Sequence, residues 1–169
     1  MPTTKIGILS DTHSKVQEAK KTLDFLVQNG VEFIIHAGDI CRYETLEHLA
    51  TCGVKYVGVY GNNDAHLVQY HNEYNLVQEP NYFKVADTKF KLMHMPFYMN
   101  PDADVVVFGH THEFACEFKN NTLFLNPGEV CAREKPITEC VILEVSENDF
   151  VVEYFANYER AKTFSYERN

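Results

Sequence analysis

The chain has 169 residues, 24 of them acidic and 15 basic, for a formal net charge of −9. That acidic balance excludes a general nucleic-acid binder, because phosphate backbones are gripped by an excess of Lys and Arg, and it disfavours an anionic membrane surface. Hydrophobic residues make up 45% of the chain, which excludes disorder, and the length suits one domain over residues 1–169.

No apolar run approaches the roughly 20 residues that cross a bilayer. Met1 to Ser10 holds no apolar leader with a small-residue cleavage site. A cytoplasmic location is expected. The five cysteines fit it: their number is odd and none has C-x-x-C spacing, so they read as small buried hydrophobes.

The elements follow in chain order. Ile6–Leu9 reads as a buried strand ended by Ser10-Asp11. Lys15–Gln28 carries apolar residues at helical spacing and stops at Asn29-Gly30. Val31–Ala37 is a second strand, Tyr43–Thr51 a short amphipathic helix, and Val54–Tyr60 a third strand ended by Gly61-Asn62. This alternation predicts right-handed crossovers and a parallel sheet, hence an α/β fold. From Tyr74 onward the apolar runs are short and close together, so the second half is expected to be strand-rich with mostly antiparallel neighbours. The polar tail, residues 157–169, receives no element.

Five of these runs end in side chains with metal-binding atoms. Asp11 and His13 follow the first strand, Asp39 the second and Asn62 the third. His94 follows Phe90–Met93, and His110 and His112 follow Val105–Phe108. In open α/β sheets the ligand site lies beyond the carboxyl ends of the strands, so residues spread over a hundred positions can converge. In an extended segment, residues i and i+2 point the same way, so Asp11-x-His13 and His110-x-His112 each present two ligands. Gly38, Gly61 and Gly109 precede ligands and let the backbone turn. Imidazole, carboxylate and amide oxygen suit Mn, Fe, Zn or Ni. Seven ligands exceed one ion, which implies two divalent ions sharing Asp39. His36 is expected to be buried and hydrogen-bonded.

The ordered set Asp11-x-His13, Gly38-Asp39, Gly61-Asn62-x-Asp64, His94, Gly109-His110-Thr111-His112 and Asn126-Pro127-Gly128 resembles the calcineurin-like metallophosphoesterases, above all their small YfcE-type phosphodiesterase branch. The resemblance runs from about Ile6 to Arg133. It implies a four-layer α/β/β/α sandwich with two mixed β-sheets. It also implies one metal on Asp11, His13, Asp39 and His112, and a second on Asp39, Asn62, His94 and His110, with manganese ahead of Ni, Fe or Zn. The activity implied is hydrolysis of a small phosphate ester, a diester first, by a hydroxide bridging the two ions. A homodimer is one expected oligomeric state.

The sequence departs from that pattern in three places. Met95 stands where the family has glycine. Only Met95 to Ala103 separates the His94 strand from the next, nine residues where a parallel helical crossover needs about a dozen, so the family's helix there is expected to be missing. Asn63 stands where larger members have histidine, so no imidazole is at hand to protonate a leaving group.

The candidate catalytic residues are Asp39, Asn62, Asn63, Asp64 and Arg133. Asp64 is expected to orient His13 through its second nitrogen or to cap a helix starting at Ala65. Arg133 is expected to meet phosphate or to serve in structural pairing. Met95, Phe97, Tyr98 and Met99 are expected to form an apolar pocket wall. The rival readings are a non-catalytic protein-interaction scaffold on the same fold and a dinuclear hydrolase of a non-phosphate ester. Retention of a metal-competent residue at every ligand position favours the phosphoesterase.

Overall fold

The computed structural model describes residues 2–169. Strands β1 (Thr4–Leu9), β2 (Phe33–His36), β3 (Lys55–Val59) and β4 (Leu76–Val77) pair in parallel, in that order. The crossovers between the first three are α1 (Val16–Gln28) and α2 (Tyr43–Thr51). Helix α1 turns Ala19, Leu23 and Leu26 inward and stops at Asn29, ahead of Gly30 at φ +84°. Both helices cover the outer face of this sheet, packing Leu23, Leu26 and Leu49 on Leu9 and Ile34.

The later strands are β5 (Asn81–Val85), β6 (Thr88–Leu92), β7 (Val105–Val107), β8 (Phe114–Lys119), β9 (Thr122–Pro127), β10 (Glu139–Val145), β11 (Asp149–Ala156) and β12 (Glu159–Glu167). The first sheet runs β12-β11-β10-β1-β2-β3-β4 and the second β5-β6-β7-β9-β8. Both are mixed: β10 joins β1 antiparallel, while β6, β7 and β9 run parallel inside the second sheet. The two sheets face each other across one apolar layer, with Ile6, Ile8, Ile35 and Val57 opposite Phe90, Leu92, Val105 and Leu123.

Two differences from the sequence reading have clear physical reasons. The unassigned tail forms β12, an edge strand paired antiparallel with β11. Most of its side chains face solvent, and only Phe164 and Tyr166, two apart, reach the inter-sheet core, so little hydrophobic pattern marks it. Its hairpin turn, Asn157-Tyr158, has φ of 50° and 65° without a glycine to announce it. On the outer face of the second sheet the segment between His94 and β7 carries no helix, as its length predicts. The fourth layer there is loop. Met99 lies against Met93, Val106, Phe108 and Phe124 and closes one side of an apolar hollow of about 290 Å³. Met99 therefore serves that outer hollow rather than the ligand cluster, and Phe97 is 71% exposed. None of the described helices is long and apolar enough to cross a membrane.

Candidate metal centre

The carboxyl ends of β1, β2, β3, β6 and β7 lie together, and the expected ligands follow them. The chain reaches this arrangement through left-handed turns rather than through extended alternation. Asp11, His13, Asp39, His110 and His112 have φ of 55°, 46°, 57°, 69° and 63°. Non-glycine residues in this region cost on the order of 1–3 kcal/mol each and persist where surrounding contacts over-determine them. Those contacts are visible. The Asp11 N–H donates to the Gly38 carbonyl at 3.0 Å, and the His13 N–H donates to the Asp39 carbonyl at 3.1 Å.

Two of the three glycines serve close approach rather than a positive φ. A Cβ on Gly61 would lie 2.2 Å from Asp39 Oδ1, and one on Gly109 would lie 2.3 Å from Ser10 Oγ and 2.7 Å from the Ala37 carbonyl. Gly38 needs both, with φ +99° and His94 Nδ1 only 2.6 Å from where a Cβ would sit.

The side chains fall into two halves around Asp39. In one half, His13 Nε2 lies 3.6 Å from Asp11 Oδ1 and 3.4 Å from Asp39 Oδ2, and His112 Nε2 lies 3.3 Å from Asp11 Oδ1. The rings of His13 and His112 are 5.2 Å apart. In the other half, His94 Nε2 lies 3.4 Å from Asp39 Oδ2 and 3.0 Å from Asn62 Oδ1, with the His110 ring 5.2 Å from that of His94. The seven expected ligands are thus brought to one end of the sheets, where Asp11, Asp39 and His94 have ligand atoms within 4.8 Å of one another, as do His13, His112 and Cys131.

The hydrogen bonds assign the imidazole tautomers. His94 Nδ1 lies 2.8 Å from the Ala37 carbonyl, which can only accept, so Nδ1 carries the proton. His112 Nδ1 lies 2.8 Å from the carboxylate of Glu129, so it too is protonated. Each neutral ring then turns a bare Nε2 toward acceptor oxygens. Asp11 Oδ1, opposite His112 Nε2, is buried without a hydrogen-bond partner. Lone pairs aimed at lone pairs in a buried place need a cation between them, and this donor set fits a divalent ion on each side.

Where no metal sits between these atoms, a proton on His94 Nε2 fills the same gap: burial opposes ionisation, yet hydrogen bonds from His94 and Asn63 hold the Asp39 carboxyl well below the usual range. The His94 imidazole is raised from its ordinary value by the Asp39 and Asp11 carboxylates, against the opposing effect of burial. The guanidinium of Arg133, with Nη2 at 3.4 Å from His13 Nε2 and 3.5 Å from His112 Nε2, brings positive charge to the two nitrogens that face Asp11 Oδ1.

Other expectations are corrected. Asp64 neither touches His13 nor caps with its side chain. Its carboxylate accepts the N–H groups of Ile40 at 3.1 Å, Cys41 at 2.8 Å and Gly61 at 2.7 Å, which ties the β2 turn to the β3 turn. Asn63 donates its backbone N–H to Asp39 Oδ1 at 3.1 Å and its Nδ2–H to Oδ2 at 3.0 Å, so its amide is committed to Asp39. His36 is buried as expected. It accepts the Gly38 N–H on Nδ1 at 3.1 Å and donates from Nε2 to Thr12 at 3.1 Å.

Two residues that sequence reasoning missed are carboxylate acceptors, Glu79 half-buried and Glu129 fully buried. Glu79 Oε1 accepts the N–H groups of His94 at 2.9 Å and Met95 at 2.8 Å. Glu129 accepts from His112 and from the turn that follows it; although burial pushes its carboxyl up, those bonds bring it down to about 2. A Glu directly after Asn126-Pro127-Gly128 was the available signal. Cys131 lies beside His13 and His112, but burial pushes its thiol up to about 12, and it donates to Glu129 at 3.3 Å as S–H.

A fold of two mixed sheets with imidazoles and carboxylates gathered at its strand ends defines a class of metal-dependent hydrolases, and comparison with known proteins places the chain within it. The model of the calcineurin-like phosphoesterase superfamily domain matches residues 4–148, so the chain belongs to that superfamily and is a metal-dependent phosphoesterase. Phosphodiesterase MJ0936 of Methanocaldococcus jannaschii is 28% identical over 159 residues, covering 86% of this chain and 96% of that protein. The solved structure of an archaeal phosphodiesterase superposes with a TM-score of 0.79 at 25% identity, covering 90% of this chain and 99% of the other. Vps29 from Chaetomium thermophilum superposes with a TM-score of 0.76 over 98% of both chains, but at 13% identity that likeness shows the fold alone.

Proposed function

We propose that the chain is a phosphodiesterase with two divalent ions in this cluster. Asp11, His13 and His112 would hold one ion and Asn62, His94 and His110 the other, with Asp39 within reach of both. Manganese is the favoured metal and Ni, Fe or Zn the alternatives. The observation that carries the reading is the pair of bare Nε2 atoms, on His94 and His112, facing acceptor oxygens that include the unpartnered Asp11 Oδ1. Two bound ions supply Lewis acidity toward phosphoryl oxygens and lower the pKa of a water.

The chain's own residues supply placement. Asn63 fixes both oxygens of Asp39, and Asp64 locks the two turns that carry Asp39 and Asn62. Arg133, exposed and directed at the His13 side, is placed to bind a phosphoryl oxygen. In the hydrolysis water adds to phosphorus, the bond from phosphorus to the leaving oxygen breaks, and that oxygen must take up a proton. With the Asn63 amide committed to Asp39, no side chain identified at the site delivers it. Diesters with acidic leaving groups, which need the proton least, are therefore the favoured substrates.

The test is elemental analysis and calorimetric metal titration, alongside bis-aryl, alkyl and monoester phosphates. Two metals per chain and fastest turnover of the bis-aryl diester are expected. Full activity with one metal or none overturns the dinuclear reading, and faster turnover of the monoester overturns the substrate assignment.

A further inference from the structure

Glu129 is completely buried beneath the ligand cluster, and an unusual number of donors turn toward it. Its Oε1 accepts from His112 Nδ1 at 2.8 Å, from the N–H of Arg133 at 3.0 Å and from the N–H of Glu134 at 3.1 Å. Its Oε2 accepts from the N–H of Lys135 at 2.8 Å and of Glu134 at 3.0 Å. Lys135 Nζ pairs with it at 3.2 Å and reaches Glu139 Oε1 at 3.3 Å, while also donating to the His112 carbonyl. Glu139 Oε1 in turn accepts the N–H of Glu129 at 3.0 Å.

A carboxylate in this position imposes two things. It accepts hydrogen bonds and cannot donate them, so the His112 proton is fixed on Nδ1 and the lone pair on Nε2 is aimed at Asp11. Its negative charge also makes that Nε2 a stronger donor to a cation. The remaining bonds wrap the 131–135 turn around the carboxylate, and this turn places Arg133 against His13 and His112.

We propose that Glu129 is a positioning residue that builds the Asp11/His13/His112 half of the centre twice over, by fixing the His112 tautomer and by seating Arg133. The proposal rests on the two-ion reading above. It predicts unequal halves, because in the other half a backbone carbonyl, that of Ala37, takes the place of the carboxylate beneath His94.

The experiment uses the full chain and three variants: Glu129→Ala, Glu129→Gln and Arg133→Gln. Zinc is the probe, by calorimetry and by nitrogen-correlated NMR of the histidine rings. In the parent, His112 should show a slowly exchanging Nδ1 proton. In Glu129→Ala that proton should be lost and one of two binding steps weakened about 10–100-fold, with the other step unchanged. Arg133→Gln should raise KM for a diester without moving the His112 Nδ1 proton, and an unchanged KM overturns the seating of Arg133 as a second role of Glu129. An unchanged His112 Nδ1 proton with both steps intact in Glu129→Ala overturns the proposal. If the alanine variant does not fold, Glu129→Gln decides: it keeps the shape and an acceptor oxygen but loses the charge, so an intermediate weakening of the same step is expected and none overturns the proposal. If the parent takes up no zinc, the two-ion reading fails. The His112 tautomer in the metal-free chain still tests Glu129, for a fall in Nδ1–H on substitution supports it and no change overturns it.

Discussion

The two halves around Asp39 differ in what stands behind their histidines. His112 rests on a buried carboxylate that is itself held by a turn and a lysine, whereas His94 rests on the carbonyl of Ala37 at the end of β2. One support is a side chain that a substitution can remove, and the other is main chain. Exposure differs as well. Asp11 is buried and Asn62 is exposed. A buried charge needs its partners more than a solvated amide does, so the first half is the more tightly built. The contrast shows that one centre can have one half tuned by side chains and the other fixed by the fold.

Substitutions can break or sharpen that comparison. The largest effect belongs to Asp39, which lies within reach of both halves. Asp39→Asn should lower turnover more than 100-fold, since supporting partners of a metal ligand alone account for about 10–100-fold. Circular dichroism should stay unchanged, and metal titration should show both steps weakened. Loss of only one step would place Asp39 in a single half.

Asn63 comes next. Asn63→Ala removes the bond to Asp39 Oδ2. It should slow every phosphate ester by about the same factor, on the order of 10-fold. The dependence on leaving-group pKa should keep its slope, measured across aryl and alkyl diesters. A steeper slope in the variant would show that Asn63 assists the leaving group.

Glu79 tests the main-chain half. It grips the N–H groups of His94 and Met95, so Glu79→Ala frees the turn and not the imidazole, whose Nδ1 keeps its bond to Ala37. A weakening of a few-fold in the zinc-binding step of the His94 half is expected, smaller than the lower end of the Glu129 effect on its own step, which is about 10-fold. An equal or greater weakening would erase the contrast between the halves.

The parts of this centre that were legible in the sequence share one property. Asp11, Asp39, Asn62, His94, His110 and His112 each follow a recognisable apolar run, so strand ends and residue chemistry together mark them. Partnerships within the centre carry no such mark. Asp64 lies two residues from Asn62 in the chain, but besides the nearby Gly61 N–H its oxygens take backbone groups 23 and 24 residues away, a choice made by how two turns pack. Glu129 draws its importance from five N–H and side-chain donors supplied by a turn with no periodic pattern. The left-handed φ values at five of the expected ligands also escape a reading based on alternation, because Asp and His at such positions look no different in sequence from the same residues on a strand. At the level of the fold, the parallel β1–β3 unit follows from strand and helix spacing, while β12 is too polar to signal its pairing with β11.

The smallest effect on activity, and a distinct one on stability, is expected beneath both halves at His36. Burial lowers its pKa to about 3, against the raising effect of the Asp11 carboxylate. Its Nδ1 accepts the Gly38 N–H, so the charged form would set a proton against a donor. In the unfolded chain the same group takes up a proton near pH 6.5. Below that value the unfolded state binds a proton that the folded state refuses, so stability falls as pH drops from about 6.5 toward 3. The slope from one such proton is about 1.4 kcal/mol per pH unit. Glu129 and Asp39, whose folded values are lowered, lose their contributions only below about pH 4.5. His94, whose value is raised, loses its contribution as pH rises above about 6.5. The interval between pH 6.5 and 4.5 therefore isolates His36 from these three groups. Urea unfolding of the chelated parent and of His36→Gln at three pH values across that interval should show a shallower fall in the variant, whatever its absolute stability. Parallel slopes would mean that the imidazole takes up its proton in the folded chain as readily as in the unfolded one, and that the Thr12–His36–Gly38 chain of hydrogen bonds does not hold it neutral.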